Sequence, residues 1–252
     1  MSRIGSDPKE NYFGIRSISL EESPLKGLSD GSGVNDQDIV NLGVKLFRWS
    51  SGDDGSHRCQ VNSKKVLDLN KDGNSDLVVL AEEDLSPYDP KIIFTACRSG
   101  DRWVVQTLPT TFGDIDDTLS DIDGDGSFEI KAKEVLSGGN YAAFFWFDIY
   151  AWTPDGFTHQ NHRFLESFYI RQYLPYIAGL LSDSAGLLSP DKEKCRIKEP
   201  SIAQCIGEDE LWACHLALSR IAEMMKAASL ALPDDTDAGV KRKIESIMRY
   251  GK

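Results

Sequence analysis

The spacing of apolar residues divides the chain into three parts. Between 43 and 163, short apolar runs alternate with Gly/Asp turns, which predicts a β-strand domain. From 164 to 252, apolar residues recur at helical spacing, which predicts an α-helical C-terminal segment. Residues 1–42 are rich in Ser, Gly, Asp and Pro, so we expect a loosely ordered lead-in with one strand-like stretch at 15–20.

The β part contains an internal repeat. Three hairpin-like segments can be aligned, at 44–53, 92–101 and 148–156, and acidic loops begin at Asp68 and Asp121. One unit reads strand, acidic loop, strand, connection and hairpin, which predicts a four-stranded antiparallel blade. The expected fold class is therefore mainly β with α. We expect two to three propeller-like antiparallel β blades that carry the acidic loops and pack against the C-terminal helical segment.

Three apolar stripes predict the helices of the C-terminal segment. A kink is expected in the first at Pro175, and the third, near 237–249, has Asp234, Asp235 or Thr236 available as its cap. The stripes are most simply explained as packing surfaces. In order, they consist of Leu165, Phe168, Tyr169, Tyr173, Tyr176, Ile177, Leu180 and Leu181; of Leu211, Cys214, Leu218, Ile221 and Met225; and of Val240, Ile244, Ile247 and Met248.

Charge narrows the choice of partners. The 252 residues include 40 acidic and 28 basic side chains, a net charge of −12, and all of that imbalance lies within 1–160. An acidic chain of this kind argues against binding to nucleic acid or to an anionic membrane through a broad basic surface. Since no apolar run approaches the roughly 20 residues that a membrane span needs, we expect no transmembrane segment.

The two acidic loops share one spacing of oxygen-bearing side chains. Such residues stand at positions 1, 3, 5 and 9, Gly stands at position 6, and the main-chain carbonyl at position 7 would add a ligand. Calcium takes six to eight oxygens at about 2.3–2.6 Å, and Gly permits the sharp bend that lets alternate side chains converge. The predicted metal ligands are Asp68, Asn70, Asp72, Asn74 and Asp76 in the first loop, and Asp121, Asp123, Asp125, Ser127 and Glu129 in the second.

This ligand chemistry predicts two calcium (Ca²⁺) sites. Magnesium is disfavoured because a carboxylate-rich loop suits a larger, flexibly coordinated ion, and a metal-free acidic turn is the other alternative. An EF-hand is excluded because position 12 is Val79 or Ala132 instead of Glu, and the flanks are strand-like. We expect the second loop, with four carboxylates against three, to bind more tightly. Because clustered carboxylates repel one another, calcium should also stabilise the β part.

Loops of this spacing between strands resemble the calcium loops of the FG-GAP and VCBS repeat families, which build integrin-type β-propeller blades. The resemblance covers about 43–163, although no Phe-Gly…Gly-Ala-Pro string is present. It implies that the side chains at the four loop positions bind calcium. Such propellers close with about seven blades, whereas this chain has room for two and a half. The C-terminal helices, or a partner, must then cover what the missing blades would cover.

No pattern of catalytic residues stands out. The chain lacks the G-x-S-x-G, H-E-x-x-H and Walker-type motifs. Three carboxylates stand just before the second loop: Asp114, Asp116 and Asp117. They complete the calcium shell, extend the acidic edge of the β part, or serve as a glycosidase-like carboxylate pair. His159 and His162 could form half of a metal site, but their place in a polar turn argues against it. Cys214 and His215 point about 100° apart on a helix, so they are not expected to form a Cys–His dyad.

The cysteines and the N-terminus leave the compartment open. Cys195, Cys205 and Cys214 lie close enough in sequence for one local disulfide, and buried reduced cysteines are the alternative. The N-terminus has no apolar signal region, so either the protein is cytosolic or a signal peptide has been removed. We expect an extracytoplasmic protein, secreted or periplasmic, because calcium there is abundant enough to fill loops of modest affinity.

Three functions fit these observations. The first is a calcium-binding, calcium-stabilised recognition or adhesion module that binds an unknown protein or glycan partner and has no catalytic activity. The second is a periplasmic inhibitor or immunity-type protein whose acidic edge masks a basic enzyme, with salt-sensitive binding. The third is a hydrolase that uses the acids near 114–117. We favour the first.

Overall fold

The computed structural model describes residues 15–28, 33–47, 59–82, 90–138, 143–185 and 208–250. Within these ranges the protein is a mixed α and β structure with two antiparallel sheets. The chain divides into two compact units, the first formed by Met1–Lys133 with Ile149–His159 and the second by Glu134–Asp148 with Gln160–Lys252. This division differs from the predicted boundary after residue 163. None of the helices in the described ranges is long and apolar enough to cross a membrane.

The first sheet has five strands in the order β1-β5-β4-β3-β2. β4 and β5 form the hairpin predicted at 92–101, with Ser99 paired to Arg102 across the turn. Strand β3 is buried along its whole length because both faces of the sheet are covered. The strands are β1 (Arg16–Leu20), β2 (Gln60–Leu67), β3 (Asp76–Glu82), β4 (Lys91–Ser99) and β5 (Arg102–Thr111).

The second sheet has four strands in the order β6-β7-β8-β9. Its last two strands form the hairpin predicted at 148–156, with Thr153 paired to Gly156. The short helix α2 (Ile115–Thr118) leads directly into its first strand. The strands are β6 (Leu119–Ser120), β7 (Glu129–Gly138), β8 (Ala143–Thr153) and β9 (Gly156–His159).

Both sheets contain the predicted unit of strand, acidic loop, strand, connection and hairpin. In the first sheet the unit runs from β2 to β5, and in the second it runs from β6 to β9. Sequential strands are neighbours in each case, as local antiparallel pairing favours. The described strands form two open sheets and no closed barrel or propeller.

Two apolar cores lie on opposite faces of the first sheet. One core joins residues of β3, β4 and β5 to residues of the second sheet, including Ile130, Tyr150 and Phe157. The other lies between the first sheet and the segment that precedes β2, where Ile39 and Phe47 are buried. The ring of Phe47 meets that of Phe94 edge to face, with centroids 6.0 Å apart. This double coverage explains why the strands of the first sheet are apolar on both faces.

The predicted hairpin at 44–53 is wrong over residues 44–47, and 48–53 lie outside the described residues. Helix α1 (Asp36–Phe47) occupies this segment, so the predicted third blade does not begin here. The helix starts after Asn35, whose side chain accepts a hydrogen bond from the Gln37 N–H at 2.8 Å. Its buried residues, Ile39, Gly43 and Phe47, are spaced by four, which is the helical repeat. Our prediction had instead aligned 44–53 with the two later hairpins.

The expectation of a loosely ordered lead-in is also wrong for the described part of 1–42. The strand-like stretch forms β1, which pairs along its full length with β5. Leu25, Leu28 and Val34 are buried in the core that α1 covers. Apolar residues scattered among Ser and Gly are therefore core residues here, because the first sheet offers them a surface to pack on.

The helices of the second unit follow the predicted stripes. A π-helix (Leu165–Tyr173) runs directly into α3 (Leu174–Ala185), so the departure from α geometry precedes Pro175. Further along are α4 (Glu208–Ala228) and α5 (Ala238–Tyr250). The described members of the stripes are mostly buried, although Tyr176 is 49% exposed. The cap of α5 is Asp237 instead of 234–236, because its carboxylate accepts the N–H groups of residues 239 and 240.

Two tyrosines of the π-helix bond to the backbone of β8. The hydroxyl of Tyr169 donates to the Phe147 carbonyl, and that of Tyr173 donates to the Phe145 carbonyl, each at 2.5 Å. The second-unit residues of β8 lie beyond the stretch of this strand that pairs with β9. The hydroxyls therefore bond to main-chain oxygens of β8 beyond the last residue that pairs with β9.

Candidate metal centre

The two acidic loops occupy the same place in the two sheets. The first connects β2 to β3, and the second connects β6 to β7. Each glycine at position 6 has a positive φ, +84° at Gly73 and +88° at Gly126. This left-handed conformation is easy for glycine, and it turns the chain so that the side chains before it face inward.

The first loop is held by hydrogen bonds between its own side chains and main chain. Asp68 accepts the N–H groups of Asp72 and Gly73, at 3.0 and 2.9 Å. Asn70 Oδ1 accepts the Asp72 N–H at 3.1 Å, and Asp72 accepts the Asn74 N–H at 2.8 Å. The loop is thus wound around its oxygen-bearing side chains.

The second loop repeats this pattern at the equivalent positions. Asp121 accepts the N–H groups of Gly124 and Gly126, at 2.8 and 3.1 Å. The Asp123 carboxylate accepts the Asp125 N–H at 3.3 Å, and the Asp125 carboxylate accepts the N–H of residue 127 at 2.7 Å. Position 1 therefore bonds to the glycine at 6, position 3 to position 5, and position 5 to position 7 in both loops. The two loops therefore share these hydrogen bonds although several of their side chains differ.

The acid at position 9 closes each loop in the same way. Asp76 accepts the N–H of Leu69 at 2.9 Å, and Glu129 accepts the N–H of Ile122 at 2.8 Å. Both acids are buried at the start of the strand that follows the loop. The carboxylate at position 9 is therefore held by the main-chain N–H of position 2 without any bound ion.

Three of the predicted ligands converge in the second loop. Asp121, Asp123 and Glu129 each place a carboxylate oxygen within 4.8 Å of the other two. Two oxygens on opposite sides of a calcium ion lie about 4.6–5.2 Å apart, so this spacing fits one coordination sphere. Among the described residues this is the one group of three acidic, His or Cys side chains with such spacing. Asp125 and Ser127 belong to the same loop but not to that group.

The carboxylates of the first loop do not converge in this way. Both oxygens of Asp76 accept main-chain N–H groups, from Leu69 and from Arg98, each at 2.9 Å. The side chain of Asn70 donates to the Arg98 carbonyl at 2.8 Å, and that of Asn74 accepts from the Arg98 guanidinium at 3.2 Å. Arg98 thus holds three of the five predicted ligands against the end of β4.

Burial of Asp76 changes its protonation. Its side chain has no exposed surface. Burial raises the pKa of this carboxyl from 3.8 to about 7 and outweighs the opposing hydrogen bonds from the Arg98 and Leu69 N–H groups; the charges of Asp72 and Asp68 add smaller increases. A divalent cation in this loop would favour the ionised form.

The contact between the two loops was not predicted from the local sequence pattern. The Phe128 N–H donates to the Leu69 carbonyl at 2.9 Å, which joins the second loop to the first. The side chain of Lys71 donates to the Asp125 carbonyl. Nothing in the local pattern around either loop signals a contact between residues 54 positions apart. Lys71 and Arg98 are the basic residues of this site, and the spacing of oxygen ligands does not identify them.

The three acids before the second loop have structural partners. Asp114 caps α2, accepting the Asp117 N–H at 2.8 Å. Asp116 pairs with Lys65, and Asp117 pairs with Lys133 at 2.9 Å. The hydrogen bond from Lys133 lowers the pKa of Asp117. Each of the three acids therefore has a structural contact.

Comparisons of the chain with protein-family models, with curated proteins and with solved structures found no match. What the loops and sheets can do is therefore derived from their own geometry.

Proposed function

We propose that this chain is a calcium-binding, calcium-stabilised recognition or adhesion module without catalytic activity, and that it works outside the cytoplasm. The observation that carries the proposal is the repeated loop. Two loops in equivalent places of two sheets share the same hydrogen bonds at positions 1, 3, 5 and 9. Repetition of one conformation with carboxylates at the same positions supports a shared ligand, and hard oxygen ligands of this number suit calcium.

The two sheets are interpreted as adjacent blades of the FG-GAP or VCBS type. This interpretation is supported by the strand order, by the position of each loop between the first two strands of its unit, and by the apolar core that the sheets share. In a complete propeller the outer face of the first sheet would meet another blade. Here α1 and the preceding segment cover that face instead.

The second loop is proposed as the tighter of the two calcium sites. Its four carboxylates carry one more negative charge than the first loop, and three of them already converge. In the first loop, a calcium ion would compete with Arg98, which bonds to the side chains of Asn70 and Asn74. Calcium in either loop offsets the repulsion between the carboxylates, so binding should raise the free energy of unfolding.

Thermal unfolding in calcium, in magnesium and in EDTA tests the proposal. If calcium is present at 100 times its Kd, linkage adds about 2.7 kcal/mol, which corresponds to a rise in Tm of roughly 5–10 °C for a chain of this size. Asp72→Ala and Asp125→Ala should each reduce the rise, because each removes a carboxylate from one loop. Asp101→Ala, which removes the same charge from a hairpin turn, is the matched control and should keep it.

Identical melts in calcium and EDTA, together with no heat of binding, would refute the proposal. If calcium binds, the partner is sought in calcium buffer with the folded protein as bait. Recovery of glycans or a surface protein supports recognition or adhesion. Recovery of a single basic enzyme, released by salt, would point instead to an inhibitor that uses the acidic surplus of residues 1–160.

A further inference from the structure

Lys71 joins the two loops. It stands at position 4 of the first loop, and its backbone has a positive φ of +61°. Its ammonium group donates to the main-chain carbonyl of Asp125 in the second loop. The same side chain lies over Gly126, where an added Cβ would come within 2.5 Å of Nζ and 3.1 Å of Cε. The Lys71 side chain of the first loop thus reaches the second loop at position 5 and at the glycine of its bend.

A main-chain hydrogen bond fixes this arrangement. The Phe128 N–H donates to the Leu69 carbonyl at 2.9 Å, two residues before Lys71 in the first loop and two residues after Gly126 in the second. The loops are therefore held side by side by a contact that does not depend on the lysine. The ammonium charge lies at the main chain of the second loop, beside Asp125 and Gly126.

We propose that Lys71 is an affinity-setting cation shared by the two loops, which stabilises them without metal and weakens their binding of calcium. This inference rests on the proposed function, because it concerns the regulation of the same sites. A fixed positive charge offsets the repulsion among the loop carboxylates when no ion is bound. The same charge repels a divalent cation that enters the second loop. Lys71 then raises the calcium concentration at which the loops fill.

The size of the effect follows from Coulomb's law. In a water-like dielectric, a unit charge about 8 Å from a divalent ion repels it enough to raise its Kd on the order of fivefold. The substitution Lys71→Met removes the charge and keeps most of the side-chain length. Since lysine and methionine have the same preference against a positive φ, the backbone strain at this position is unchanged.

Calorimetric titration of the whole chain with calcium tests the proposal. We expect Lys71→Met to bind calcium about fivefold more tightly than the wild type and to unfold at a lower temperature in EDTA. The tightening should shrink at high salt. A purely structural role for Lys71 predicts the opposite change in affinity, because damage to the loops weakens binding.

Lys65→Met is the matched control. It removes the same charge from the same unit, but Lys65 pairs with Asp116 and contacts neither loop in the bonds described above. An equal tightening in both variants would overturn the proposal in favour of net charge. Unchanged or weaker calcium binding by Lys71→Met would also overturn the proposal for Lys71. In that case the proposed function still stands, provided that the wild type binds calcium. If the wild type itself binds no calcium, both proposals fail.

Discussion

The buried carboxyl of Asp76 should make the metal-free protein less stable as the pH rises. Burial raises its pKa from 3.8 to about 7 in the folded protein. An unfolded chain releases this proton near pH 3.8, so between pH 4 and 7 the folded state binds more protons than the unfolded state. By linkage, the free energy of unfolding falls over this interval and becomes level above the folded pKa.

The expected loss is large for a single group. Between pH 5 and pH 7.5 the linkage relation gives a decrease of roughly 2–3 kcal/mol in the free energy of unfolding from this carboxyl alone. Asp76→Asn removes the titration. At pH 5 the folded wild type carries a protonated carboxyl, which offers one carbonyl oxygen to the N–H groups of Leu69 and Arg98 much as the amide does, so the free energies of unfolding of the two proteins should lie within roughly 1–2 kcal/mol of each other there.

Urea unfolding in excess EDTA, followed by tryptophan fluorescence, measures both effects. Trp103 and Trp146 are buried and will report the transition. The unfolding midpoint of the wild type should fall from pH 5 to pH 7.5, while that of Asp76→Asn should change much less. With saturating calcium the decrease in the wild type should disappear, because the ion favours the charged carboxylate. A variant that keeps the full pH dependence of the wild type would refute the assignment to Asp76.

Two further predictions concern contacts that hold each unit. Gly156→Ala should lower the free energy of unfolding by roughly 2–4 kcal/mol in urea titrations, because φ is +112° and the new Cβ would lie 2.4 Å from Oε1 of the buried Gln106. Gly100→Ala is the control: φ is also positive there, but the new Cβ would meet no atom within 4 Å, so the free energy of unfolding should fall less. In the second unit, Tyr173→Phe should lower Tm through the loss of the hydrogen bond to the Phe145 carbonyl, at about 1–2 kcal/mol, and an unchanged Tm would contradict the role given to the hydroxyl.

Local signals predicted two of the three hairpins and the bend of each acidic loop. The turns at 100–101 and 154–155 were identified by Gly, Pro and Asp between apolar runs, and these residues act over a few positions. The glycine at position 6 predicted the bend of each loop for the same reason. The apolar stripes of α4 and α5 predicted helices because their residues recur at a regular interval.

Contacts between distant residues decided the rest. Residues 39–47 satisfy the helical period and, at their end, an alternating one, and the open face of the first sheet selects the helix. β1 pairs with β5, more than 80 residues further along the chain, so its short sequence alone does not indicate an ordered strand. In the sequence, Arg98 and Lys71 look like ordinary surface cations. Only the fold brings the Arg98 N–H to the Asp76 carboxyl and the Lys71 ammonium group to the Asp125 carbonyl.

The coverage of the first sheet explains how two blade-like units can exist without a ring. A sheet that is apolar on both faces must pack against another element on each face, and in a propeller both of these elements are neighbouring blades. In the first unit, one cover is the second sheet and the other is α1 with the segment before it. Helix α1 is amphipathic: its apolar face packs on the sheet and its polar face is exposed, so no further sheet is needed on that side. The residues before β2 therefore cover this face of the first sheet, where the aligned hairpins had predicted another hairpin.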